Sequence, residues 1–156
     1  TEFAQDGLCT KIAATAMLGA SGARMDKAYS WPEGHWDWPT HLPFKHANKC
    51  GQMIHMGGQV SLTADAEVID PGDMVAQTRR AMDNIALVLA ELGAGLDDVV
   101  KVTTFYQGAA SAEALHENLL IRSGSFTAPG PATTGIPVAA LAFDQMVIEI
   151  EVIAVV

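Results

Sequence analysis

A two-layer α+β domain, with helices packed on one face of a β-sheet, is the fold class the sequence predicts. Three observations carry it. Strand-like and helix-like patterns follow one another in the order ββ–α–β–α–ββ. A length of 156 residues suits one domain, able to bury roughly 70% of its unfolded surface. The closing segment Val147–Val156 has one wholly apolar face, Ile148, Ile150, Val152, Ala154 and Val156, as a strand laid on a helical layer requires.

Taken in order, residues 1–40 form an N-terminal extension to a domain over residues 41–156. The extension lacks sustained periodicity beyond a weak helix near Asp6–Met17. Lys11–Ala23 has one basic residue and a small-residue end, but Thr15, Gly19 and Ser21 break its apolar part. It reads as a terminal segment and not an export signal. Trp31–Pro39 holds all three tryptophans between prolines and a glycine. A loop is expected there, its indoles packed on the domain or on a neighbouring subunit.

Gln52–Leu62 reads as a strand interrupted at Gly57-Gly58, the mark of a bulge or of close backbone approach. Thr63–Ile69 is a turn and short return strand. Asp70-Pro71-Gly72-Asp73 opens a helix with either aspartate as N-cap, and Gly93 closes it. Val99–Tyr106 is β-branched and aromatic, a strand. Ser111–Phe126 is a second helix capped by Ser111, with Leu115, Leu119 and Leu120 expected inward, and Pro129-Gly130-Pro131 ends it. Thr133–Leu141 is extended.

Charged residues make up only 17% of the chain, with 18 acidic against 9 basic and a net charge of −9; about 25% charged is usual. The apolar excess must enter a core or a subunit interface. The acidic balance argues against nucleic-acid or anionic-membrane partners, which need a basic patch. No apolar run reaches the ~18 residues of a membrane span. Cys9 and Cys50 cannot build a disulfide scaffold and are expected as idle thiols in a reducing cytoplasm.

Motif chemistry is sparse. The five histidines show no HExxH pattern and no Cys/His pairing at zinc spacing, so no metal is expected. No dinucleotide fingerprint, Walker A loop or GxSxG elbow is present, so no nucleotide site or serine hydrolase of that class is supported. One anomaly stands out. Glu149 and Glu151 share a face of the last strand, so both are surface carboxylates if that face is solvated, and at least one is a candidate for function if it lines an interface or barrel.

Five ordered segments together resemble the Rid superfamily (reactive intermediate deaminase, YjgF-like). They are Met53–Val60 (MIHMGGQV), Gln77–Ile85 (QTRRAMDNI), Asp97–Phe105 (DDVVKVTTF), Pro131–Thr133, and Ile148–Glu151 (IEIE). The resemblance spans about Pro43 to Val156. It implies a chorismate-mutase-like α+β fold with a mixed sheet and two helices on one face. It also implies a homotrimer with inter-subunit clefts, and cofactor-free hydrolysis of a small-molecule enamine or imine to a carbonyl and ammonia.

Residue by residue, the family's water-positioning glutamate maps onto Glu149. Its tyrosine near the first strand maps onto Phe44, its serine before Gly-Gln onto Gly57, a helix asparagine onto His116, and its cysteine onto Gly135. Gly58 and Gly135 offer backbone amides, and His116 is a candidate second acid/base. The substrate-clamping arginine falls on Thr133, which has a hydroxyl and no charge. Were the substrate anionic, Lys45 or Arg122 would have to stand in. The resemblance therefore supports a deaminase; a non-catalytic small-molecule-binding trimer and a protein-interaction or chaperone-like relative are the alternatives.

Overall fold

A computed structural model describes residues 25–38 and 42–156. The helix expected over Asp6–Met17, the Lys11–Ala23 segment and Cys9 lie outside the described residues. The elements are β1 (Lys27–Ser30), β2 (Ala47–Cys50), β3 (Met53–Met56), α1 (Met74–Glu91), β4 (Val99–Gln107), α2 (Ala112–Gly124), β5 (Ala132–Val138) and β6 (Ile148–Val155). They build one six-stranded sheet in the order β1-β2-β3-β6-β4-β5. Only β4 and β5 run parallel, with α2 crossing between them. Both helices lie on one face, so the expected mixed-sheet α+β architecture is the one found.

The core forms where that face meets α1. Ile85, Val88 and Leu89 pack with Ile54, Val102, Ile148, Ile150 and Val152, all essentially buried. Period-2 burial along β6 and helical spacing along α1 supply the two apolar surfaces. Asp73 is the N-cap of α1, its Oδ1 accepting from the Ala76 N–H at 3.0 Å, and Gly93 takes φ +73° just past the C-terminus. Of the two candidate aspartates, Asp70 instead adopts φ 52° in the preceding turn.

Sequence patterning gave no element for β1, yet Lys27–Ser30 pairs antiparallel with β2 at the sheet edge. The following loop packs its indoles on the domain. Trp36 is buried in a second cluster with Val60, Leu62 and Met146, and meets Trp38 edge-on at 5.7 Å. Cys50 is a free thiol.

The second helix departs from expectation. Ser111 caps it, its Oγ accepting from the Ala114 N–H at 3.1 Å, but Leu119 and Leu120 are 47% and 59% exposed. Its buried residues are Asn118 and Arg122. These stand four apart and share a face, while the two leucines are rotated away by about 100° per residue. Hydrogen bonding decides the orientation. Asn118 Nδ2 donates to Thr78 Oγ1 of α1 at 2.9 Å, and Arg122 Nε donates to Asn118 Oδ1 at 2.7 Å.

Candidate functional site

Glu149 is positioned by two segments that α1 holds from below. Gln59 and Ile150 exchange backbone hydrogen bonds of 2.7 and 3.0 Å, which docks the segment after β3 alongside β6. Gly58 thereby lies directly under Glu149: a Cβ at Gly58 would stand 1.8 Å from Glu149 Oε1. Only glycine leaves room for that carboxylate. The interruption at Gly57-Gly58 is thus a close approach to a side chain, and Gly57 donates its N–H to the His46 carbonyl at 2.8 Å.

Two polar residues of α1 fix these backbones. Gln77, fully buried, donates from Nε2 to the Asp70 and Gln145 carbonyls at 2.8 and 3.0 Å, and its Oε1 accepts from the Val147 N–H at 3.0 Å. It staples the entry of β6, two residues before Glu149. Asn84 Nδ2 donates to the Val60 carbonyl at 2.8 Å and holds the Gly58 side of the contact.

Glu149 is half-buried, and its carboxyl is pushed above the usual carboxylate value, first by desolvation and then by the like charge of Glu151. No hydrogen-bond donor stabilises its anion among the described residues. Such a group is a stronger base than a surface glutamate, with its acceptor sites free for a water.

A cluster behind Gly58 escaped the sequence reading. Gln59 Oε1 accepts from His35 Nε2 at 2.9 Å, and Gln59 Nε2 donates to the Gly57 carbonyl at 3.2 Å and faces His46 Nδ1 at 3.4 Å. His46 Nε2 donates to the Trp36 carbonyl at 2.9 Å. With Nε2 facing a carbonyl and Nδ1 facing an amide N–H, His46 is a neutral imidazole protonated at Nε2. Burial lowers both imidazoles, His46 to about 4, where the neighbouring His35 adds to the effect. The only sequence signal was Gln59 following the glycine pair; its distance from His35 hid the rest.

The other expected site residues lie elsewhere in the chain. Cross-strand register puts Thr133 opposite Val102 and Gly135 opposite Thr104, on the helix-bearing face, whereas Glu149 pairs with Phe105 on the open face. A Cβ at Gly135 would meet Tyr106 at 3.4 Å. Thr133 Oγ1 accepts from an Arg122 terminal nitrogen at 3.3 Å. His116 is exposed on α2, and Phe44 is 42% exposed ahead of β2. One chain therefore brings Gly57, Gly58 and Glu149 together, and separates them from Thr133, Gly135 and His116 by the thickness of the sheet.

Comparison with known proteins identifies the family. The family described as Endoribonuclease L-PSP matches residues 38–156. A RutC family protein of Pyrococcus abyssi is 35% identical over 112 residues, 72% of this chain and 85% of that protein. The 2-iminobutanoate/2-iminopropanoate deaminase of Escherichia coli K12 is 31% identical over 116 residues, 72% and 87% of the two chains. The 3-aminoacrylate deaminase RutC of Acinetobacter baylyi is 32% identical over 75 residues, 48% and 58%. Among solved structures, yeast Mmf1 superposes with a TM-score of 0.71 at 25% identity, covering 83% of this chain and 98% of that one. RidA from an Antarctic Psychrobacter shares the fold, with a TM-score of 0.70 at 22% identity over 83% and 99%. The chain belongs to the Rid superfamily, the endoribonuclease L-PSP family of imine deaminases and their relatives.

Proposed function

We propose that this protein hydrolyses a small enamine or imine to a carbonyl compound and ammonia, in clefts formed between copies of the chain, with Glu149 positioning and activating the water. The observation that carries this reading is the Glu149 carboxyl seated over Gly58, desolvated and without a donor among the described residues. A base of raised affinity for protons suits abstraction from water and protonation of a departing amine. The deaminase names of relatives at about one-third identity support the same reaction class.

The division of residues between faces supports the inter-copy cleft. A substrate touching both Glu149 and the Thr133–Gly135 strand needs a second copy, because β5 and the Gly58 segment meet β4 and β6 on opposite sides of the sheet. The open face carries Tyr29, Met53, Ile136 and Val155, each at least 37% exposed, and such an apolar surface favours self-association. Thr133 and the Gly135 amide would bind the polar end of the substrate, and Phe44 would wall the cleft. His116, solvent-facing in one chain, would act only if a neighbouring copy met it.

The ribonuclease in the family's description has little support in this chain, whose net charge of −9 opposes a polyanionic ligand. The test is ammonia release from a panel of freshly generated enamines and imines. Glu149→Gln is expected to lower turnover at least about 100-fold with unchanged circular dichroism. Turnover equal to wild type in that variant would sink the mechanism, and a wild type inert on the whole panel would sink the reaction.

A further inference from the structure

Among the described residues Arg122 is the only Lys, Arg, Asp or Glu in the buried set, at 7% exposed. It has no carboxylate partner there. Nε donates to Asn118 Oδ1 at 2.7 Å and a terminal nitrogen to Thr133 Oγ1 at 3.3 Å, both neutral acceptors. Burial pulls the guanidinium below its ordinary value, and no opposite charge among the described residues offsets it. A buried charge in a protein is normally paired, and a guanidinium carries five N–H donors, of which two are used among the described residues.

The side chain also lines a cavity of about 250 Å³ between α2 and the segment leading into β5. Val102, Leu119, Phe126, Ala128 and Pro131 form most of the remaining wall, and Thr133 lies at its edge. The volume is below the roughly 300–1,000 Å³ of drug-sized sites. No second cation lines it, so a dianion would stay partly uncompensated.

From this arrangement we infer a binding site for a small organic monocarboxylate. Its anion pairs with Arg122, and its short apolar body lies against Phe126, Pro131 and Val102. The Thr133 hydroxyl accepts from Arg122 and so has its own proton to donate to the carboxylate. The site shares Thr133 with the substrate wall proposed above, but within one chain it lies on the helix side of the sheet, across from Glu149, and it holds its ligand whether or not Glu149 hydrolyses anything.

Nuclear magnetic resonance of the full chain tests this, with butanoate as probe and butanamide as its neutral isostere. Butanoate is expected to shift the Arg122 Nε–H resonance and saturate, and butanamide to leave it unmoved. Leu119→Trp fills the cavity from an exposed position and is expected to weaken butanoate binding roughly tenfold or more, as is Arg122→Gln. Glu149→Gln should bind butanoate like wild type. Should Arg122→Gln fail to fold, Leu119→Trp decides alone. An equal response to butanamide, an unmoved Arg122 resonance, full binding by Leu119→Trp, or lost binding in Glu149→Gln would each overturn the site. Missing imine hydrolysis with intact butanoate binding would overturn only the reading of Glu149.

Discussion

At the scale of single residues, Glu149 and Gly58 are one device. A methyl group at Gly58 would stand 1.8 Å from the carboxylate oxygen, so Gly58→Ala must push that oxygen away. The obstacle is the end of a flexible side chain, not backbone, so the fold should survive. Turnover is expected to fall toward that of Glu149→Gln, with circular dichroism unchanged; normal turnover would mean that the carboxylate's seat is irrelevant. The second glutamate makes a separate prediction. Glu151 raises the Glu149 carboxyl by like-charge repulsion, second to desolvation. The basic form of Glu149 exists above its folded pKa, so activity should rise as pH climbs through that raised value. Glu151→Gln removes the repulsion, lowers the pKa and should move this acid limb to lower pH. Profiles of kcat/KM against pH decide it: an unmoved limb would show that Glu151 does not act on Glu149.

At the scale of elements, α1 is both core and jig. Its apolar stripe buries the sheet, while Gln77 and Asn84 hold the two backbones that bring Glu149 over Gly58. Gln77→Ala strips the buried Val147 N–H of its partner and takes one of two donors from each of the Asp70 and Gln145 carbonyls. A loss of about 1–3 kcal/mol is expected in urea unfolding, together with lower turnover because β6 is released near Glu149. A loss confined to stability would show that the entry of β6 is fixed by other contacts. Much of this layer was legible beforehand: alternation drew β6, the Asp73 and Gly93 signals bounded α1, and the Gly57-Gly58 interruption marked a bulge or a close backbone approach, without naming Glu149 as what comes close. What periodicity could not show was which polar groups turn inward. On α2 it favoured Leu119 and Leu120, yet Asn118 and Arg122 are buried, because their hydrogen bonds run to residues 40 and 11 positions away. β1 was hidden for a related reason: four residues with three exposed carry almost no burial pattern, and their strand character comes from pairing with β2.

At the scale of the whole molecule, low surface charge and an open apolar sheet face require a common explanation. With charged residues at 17% and a net charge of −9, a monomer would leave Tyr29, Met53, Ile136 and Val155 in water on one side of its sheet. The same side carries Glu149 and Glu151, so covering it with a copy of the chain would desolvate the site and supply the missing Thr133–Gly135 wall. A trimer is the expected assembly, with a mass three times the 16.5 kDa of one chain in sedimentation velocity at micromolar concentration. Its copies bear like net charge, so added salt should strengthen it by screening, with most of the gain made before the Debye length has fallen to about 10 Å. Val155→Glu places a charge on that face at an exposed position, where the monomer can tolerate it. The variant is expected to sediment as a folded single chain and to lose ammonia release, although every residue of the Glu149–Gly58 contact is intact. A monomeric wild type, or an active monomeric variant, would instead put the whole site within one chain.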